Sequence, residues 1–199
     1  LSDYEKICAR LDGLVDLIEL NISCPNVKCG GMAFGIRPES VKEVTRVSKG
    51  ALKKTPLIVK LSPNVESIAV NALAAQEGGA DAVSLVNTFT GMVIDIERRR
   101  PLIANNTGGV SGAGIMPIAA RMTHEVCSAV TVPVIGMGGI TCAEDALQFI
   151  IAGASAVQVG TANFTDTPAM PKIIAGLNAW LDGHGIGNIN ELRGTLKLN

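Results

Sequence analysis

A cysteine set among polar residues is the first candidate for chemistry in this chain. Cys24 lies in the run Asn21-Ile22-Ser23-Cys24-Pro25-Asn26, directly after an apolar stretch. A thiolate can act as a nucleophile or a base, and the neighbouring proline restricts the backbone beside it. A free cysteine is more often an inert packing residue, so composition alone leaves both interpretations of Cys24 open.

Polar side chains also accompany two further apolar runs. Lys60 lies within Leu57-Ile58-Val59-Lys60-Leu61, and a lysine is rarely buried unless it meets an anionic partner. Asn87 and Thr88 follow the next run, where amide and hydroxyl groups can bind a polar, planar ligand. The ordinary alternatives are a lysine that reaches solvent from a sheet edge and a simple turn at Asn87 and Thr88.

Paired glycines predict a phosphate-binding site. Gly138-Gly139 and Gly160-Thr161 each follow an apolar run, and a helical pattern comes next. Glycine lets backbone N–H groups approach a phosphate closely, and the loops after the last two strands of a β/α barrel often bind one. Ordinary turn glycines are the competing interpretation.

Apolar runs with little alternation predict the strands that must position these residues. Such runs are typical of parallel strands that are buried on both faces. They occupy residues 16–22, 57–61, 82–86, 132–137 and 156–159. Helical periodicity falls between and after them, at residues 38–54, 65–77, 115–129, 143–151 and 168–181.

This order predicts an α/β protein built from about five βα units. A closed (β/α)8 TIM barrel has eight units, so spacing alone leaves two possibilities open, an open doubly wound sheet and part of a barrel. Either way, the polar and glycine residues lie at the carboxyl ends of parallel strands, where such enzymes hold their chemistry. The connection over residues 87–114 is unusually long, and long connections are often functional.

Composition restricts the class of protein further. The 199 residues form one expected domain, and the net charge of -1 does not favour nucleic acid or an anionic membrane surface. No apolar run reaches membrane-spanning length. The 5 cysteines are irregularly spaced without a Cys-x-x-Cys pair, so we expect no metal site or disulfide framework and a reducing, cytoplasmic compartment.

Taken in order, these motifs resemble those of the dihydroorotate dehydrogenases. The resemblance covers essentially the whole chain and rests on residues 21–35, 59–64, 87–92, 107–112, and the glycine runs at 136–140 and 157–164. The cysteine run is the most specific of these, whereas many phosphate-binding barrels share the glycine motifs. Val27-Lys28-Cys29-Gly30-Gly31 is similar to the NAD-linked class. The cysteine argues against the membrane-bound, quinone-linked class, which uses serine.

The resemblance implies an FMN-containing TIM barrel that oxidises dihydroorotate to orotate in pyrimidine biosynthesis. Cys24 would remove the proton from C5 while the C6 hydride passes to FMN. Asn21 would contact both flavin and substrate, and Asn87 and Thr88 would bind substrate. The implied FMN contacts, besides Asn21, are Lys60, Val86, Gly112, Gly138, Gly139, Gly160 and Thr161.

The resemblance also implies a partner subunit. In the NAD-linked class, a second subunit with FAD and a [2Fe–2S] cluster passes electrons to NAD, and we expect a heterotetramer. It further implies that residues 1–199 are one FMN-binding domain whose first three barrel strands lie upstream of Leu1. We therefore expect the isolated chain to be inactive.

Three alternatives remain open at this point. A related FMN barrel, such as the flavin domain of a dihydropyrimidine dehydrogenase, shares the cysteine loop in part. A truncated, non-catalytic remnant would keep the motifs without a working site. A phosphate-binding barrel without flavin would leave Cys24 unexplained. Separately, Cys29 has no role that we can assign.

Overall fold

The computed structural model describes residues 1–23 and 31–199, without the side chains of residues 31–33. Cys24 and Cys29 therefore lie outside the described residues. The strands of the described chain are β1 (Ile18–Asn21), β2 (Leu57–Lys60), β3 (Ala82–Leu85), β4 (Phe89–Gly91), β5 (Ile94–Asp95), β6 (Arg100–Pro101), β7 (Gly108–Val110), β8 (Val134–Met137) and β9 (Ala156–Gln158).

Helices separate most of these strands. They are α1 (Ser2–Leu11), α2 (Gly31–Ile36), α3 (Pro38–Gly50), α4 (Ile68–Glu77), α5 (Met116–Ala129), α6 (Ala143–Ile151), α7 (Ala162–Thr165) and α8 (Ala169–Gly183), with 3-10 turns at Ala113–Ile115 and Ile189–Glu191. No helix within the described ranges combines the length and apolar character needed to cross a membrane.

The main sheet is parallel, in the order β1-β2-β3-β8-β9. Its register sets Asn21 beside Lys60 and Lys60 beside Ser84, and the last pair, Met137 with Gln158, lies between β8 and β9. Because all five strands run in the same direction, their carboxyl ends meet at one edge. The residues that follow these strands are therefore brought together there.

One face of the sheet forms the hydrophobic core against the helices. Val59, Val83 and Leu85 alternate toward that face and are fully buried. Gly136 lies under the ring of Phe149 from α6, where a Cβ would come within 2.5 Å of that ring. Burial of each such aliphatic side chain stabilises the fold by about 1.5–3 kcal/mol. Packing in the core thus fixes the positions of the strand ends and the register of the strands.

A pair of nested antiparallel ladders occupies the long connection after β3. β4 pairs with β7, and β5 pairs with β6 farther out. The Asp95 carboxylate accepts the backbone N–H groups of Glu97 and Arg98, which closes the outer turn. The chain then returns to the sheet edge at Gly112, so this connection is a folded arm and not an irregular loop.

The predicted βα units are confirmed, and their strands lie within the predicted segments. The helices α2 and α7 and the four short strands of the arm were not predicted. These elements have between two and six residues each, too few to show a hydrophobic period.

Candidate active site

A cavity of about 480 Å³ lies at the carboxyl edge of the main sheet. It is formed by Lys60 at the end of β2, by residues at or after the ends of β3, β8 and β9, and by the end of the arm. Many of the residues singled out in the sequence line it: Lys60, Val86, Asn87, Thr88, Gly112, Gly138, Gly139, Gly160 and Thr161. Segments far apart in the chain thus meet around one space.

Asn21 reaches this group through a hydrogen-bond network. The amide of Asn87 donates to Asn21 Oδ1 at 3.3 Å and to Ser23 Oγ at 2.6 Å. Ser23 in turn donates its backbone N–H and its hydroxyl to Asn21 Oδ1, at 3.3 and 3.2 Å. Asn21 does not line the cavity itself, but it helps to orient Asn87, which does.

A second amide holds the segment after Asn87. Asn64 Nδ2 donates to the carbonyl of Thr88 at 2.9 Å, and Asn64 Oδ1 accepts the backbone N–H of Thr90 at 2.9 Å. The backbone N–H of Thr88 donates to Asn87 Oδ1 at 2.9 Å. These contacts fix the backbone at the cavity wall, a role that the sequence did not assign to Asn64.

The glycines fulfil two distinct requirements. Gly138 and Gly139 have φ values of +130° and +77°, which side chains rarely adopt, and a Cβ on Gly139 would lie 2.8 Å from the Gly112 carbonyl. At Gly160, by contrast, a Cβ would meet nothing within 4 Å. Gly138 and Gly139 are thus required by the backbone conformation at these positions. Gly160 instead leaves open space at the cavity.

The hydroxyl groups of Ser111, Thr141 and Thr161 also line the cavity. Thr161 Oγ1 donates to Ser111 Oγ at 3.1 Å, which joins the segment between β9 and α7 to the arm. Thr141 donates its hydroxyl and its N–H to Asp145 at 2.8 and 2.9 Å. Partial burial opposes ionisation of Asp145, but these hydrogen bonds outweigh it and lower the pKa of the carboxyl.

Lys60 brings a cation to the wall of the same cavity. It is half-buried, lies between Asn21 and Ser84 in the sheet register, and lines the cavity. The site therefore combines one positive charge and an amide cluster with a glycine- and hydroxyl-lined end. This arrangement suits an anionic ligand that has a polar ring and a phosphate.

Parallel βα units with such a cavity at their carboxyl edge define a β/α-barrel type of ligand-binding protein. The dihydroorotate dehydrogenase family model matches residues 1–181. The chain belongs to this family.

Curated relatives indicate the class within this family that the chain resembles. The chain is 52% identical over 200 residues to the dihydroorotate dehydrogenase B (NAD(+)) catalytic subunit of Bacteroides fragilis. It is 52% identical over 197 residues to the protein of that name from Alkaliphilus metalliredigens. These matches cover 100% and 98% of this chain but 66% and 65% of the relatives. The names of these relatives confirm the resemblance to the NAD-linked class. The chain spans just under two thirds of the length of each relative.

A solved structure confirms the fold. The dihydroorotate dehydrogenase from Eimeria tenella, in complex with ferulenol, matches with a TM-score of 0.81 at 23% identity. The match covers 98% of this chain and 57% of the other. Together with the parallel sheet order, it shows that the described units form part of a (β/α)8 barrel.

Proposed function

We propose that the gene product containing this chain oxidises dihydroorotate to orotate in pyrimidine biosynthesis, with FMN as its cofactor. The observation that carries this proposal is the convergence of Lys60, Asn87 and the glycine segments on one cavity, in a chain of this family. A cavity of about 480 Å³ falls in the usual range for small-molecule sites, roughly 300–1,000 Å³.

The residues present fit FMN. The open space at Gly160 and the hydroxyls of Ser111 and Thr161 suit a phosphate, and glycine keeps the backbone accessible to it. Lys60, which also lines the cavity, suits a ring that gains negative charge. We propose that the FMN contacts are Asn21, Lys60, Val86, Gly112, Gly138, Gly139, Gly160 and Thr161.

The substrate would be held by the amide cluster. Asn87 and Thr88 line the cavity, and Asn21 is bonded to Asn87, so these groups can donate to and accept from a pyrimidine ring. Bound FMN supplies the acceptor for the C6 hydride of dihydroorotate. Cys24, which follows Ser23 in the sequence, would remove the C5 proton as a thiolate base.

We further propose that electrons pass to NAD through a partner subunit with FAD and a [2Fe–2S] cluster, in a heterotetramer. The names of the relatives, which include NAD(+) and a catalytic subunit, support this part of the proposal. We place the reaction in the cytoplasm, because Cys8, Cys127 and Cys142 are free thiols, as is usual in a reducing compartment.

Residues 1–199 would contribute to a single FMN-binding domain that needs further strands. In the described sheet, β1 and β9 are edges, and apolar groups near them are exposed, with Leu17 at 52% and Phe164 at 92%. Such edges are normally covered or paired. We therefore propose that this chain alone binds FMN weakly and does not turn over.

Turnover by the purified gene product tests this function. Dihydroorotate and dihydrouracil are supplied separately with an artificial electron acceptor, and product formation is followed. We expect product to form with dihydroorotate and not with dihydrouracil. Faster turnover with dihydrouracil would assign the protein to the dihydropyrimidine dehydrogenase type of flavin barrel instead.

A further inference from the structure

A carboxylate on the concave face of the sheet has no part in the function proposed above. Glu19 Oε1 accepts a hydrogen bond from the hydroxyl of Ser84, and Glu19 Oε2 accepts from the amide of Gln158 at 3.3 Å. These residues belong to β1, β3 and β9, so one carboxylate joins three strands of the barrel wall.

The strand register places this carboxylate under the cavity. Glu19 pairs with Ile58 and Asn21 with Lys60, so the alternation of side chains puts Glu19 and Lys60 on the same face. Their Cα atoms are roughly 8 Å apart, from the spacing of neighbouring strands and two residues along a strand. Lys60 and Gln158 both line the cavity, and Glu19 is half-buried behind them.

We propose that Glu19 sets the reduction potential of the bound flavin, holding it below the value that Lys60 alone would give. The proposal rests on the FMN site inferred above. Reduction adds negative charge to the flavin ring, which Lys60 stabilises and a nearby carboxylate destabilises. Because the carboxylate is partly shielded from water, this opposition is stronger than between exposed charges.

The hydrogen bonds to Glu19 come from uncharged groups. Both oxygens of Glu19 accept from neutral donors, Ser84 and Gln158, and no ion pair of Glu19 occurs among the described residues. A lowered flavin potential makes the reduced cofactor a better electron donor. A low flavin potential suits delivery of electrons to a weak oxidant such as NAD. Delivery to a strong terminal oxidant would not require such a low potential.

The test is a spectroelectrochemical titration of the FMN-loaded gene product and its Glu19→Gln variant, which keeps the shape and removes the charge. We expect the potential to rise, with the ratio of reduced to oxidised flavin at fixed potential increasing on the order of tenfold. For a two-electron couple, that change corresponds to about 30 mV. Lys60→Met should shift the potential the opposite way.

Two further variants separate charge from structure. Glu5→Gln removes an exposed carboxylate on α1 and should leave the potential unchanged. Glu19→Met, of similar volume, replaces Glu19→Gln if that variant loses FMN, and it should also raise the potential. An unchanged or lowered potential in FMN-loaded Glu19→Gln or Glu19→Met would overturn the proposal. A wild-type protein that binds no FMN would instead overturn the proposed function together with this inference.

Discussion

The side-chain amide of Asn87 donates a hydrogen bond of 2.6 Å to the hydroxyl of Ser23, the residue immediately before Cys24. This contact ties the end of β3 to the end of β1, across the strand between them. A proposed substrate-binding residue is thereby held in fixed relation to the start of the segment that carries the proposed base. The same amide also donates to Asn21.

Replacing Asn87 by alanine should impair both binding and orientation of dihydroorotate. The change removes the amide that donates to Ser23 and Asn21. Ser23 is buried, and leaving a buried polar group without its partner costs about 1–3 kcal/mol. We expect kcat/KM to fall by about 10- to 100-fold. Stopped-flow flavin reduction measures this, with Asn105→Ala on the exposed arm as control. Equal rates in the two variants would remove Asn87 from the substrate site.

Cys24→Ala should retain FMN but reduce flavin slowly. Loss of a general base typically costs about 10²- to 10⁴-fold in rate. An ordinary thiol has a pKa near 8.5, so the wild-type rate should rise with pH through that range, and the variant should lack this rise. Cys142→Ser is the matched control, because Cys142 is an exposed cysteine at the start of α6. Wild-type rates in Cys24→Ala would exclude a cysteine base.

Gly160 and Gly139 should respond oppositely to substitution. A side chain at Gly160 meets open space at the cavity, so Gly160→Val should keep its Tm and bind FMN at least about tenfold more weakly. At Gly139 a Cβ would contact Gly112 O and Met116 N at 2.8 Å, with φ at +77°. Gly139→Ala should therefore lose about 1–3 kcal/mol of stability. Thermal unfolding and FMN titration distinguish the two, and a destabilised Gly160→Val with normal FMN affinity would contradict the assignment.

Asp12, which does not line the cavity, should make the folding stability of the protein sensitive to acid. Its carboxylate accepts the backbone N–H groups of Lys54, Thr55 and Lys53, which lowers its pKa from 3.8 to about 2. A lowered folded-state pKa stabilises the fold above pH 3.8, and this contribution is lost as the pH falls toward about 2. The stability difference between wild type and Asp12→Asn should therefore shrink over that window in denaturant titrations. A constant difference would show that Asp12 is not held in this way.

The central strands β2, β3 and β8 could be predicted because each is a short, apolar run that is largely buried. The edge strands β1 and β9 lie within the predicted runs but are partly exposed, unlike the strands buried on both faces that the sequence predicted. Lys60, Asn87 and Gly160 could be placed at the carboxyl edge of the main sheet, since each follows or ends an apolar run. The bond between Glu19 and Gln158 could not be predicted, because those residues are separated by 139 positions and meet only when the sheet curves. The hydrogen bond between Ser111 and Thr161 was likewise not predicted, since these residues are 50 positions apart.

Anaerobic mixing of the FMN-loaded gene product with dihydroorotate tests the central claim most directly. The flavin absorbance and the amount of orotate are recorded after a single turnover. We expect the flavin to be fully reduced and one orotate to form for each FMN, whereas dihydrouracil should leave the flavin oxidised. A protein that holds FMN at full occupancy but remains oxidised in the presence of dihydroorotate would contradict it.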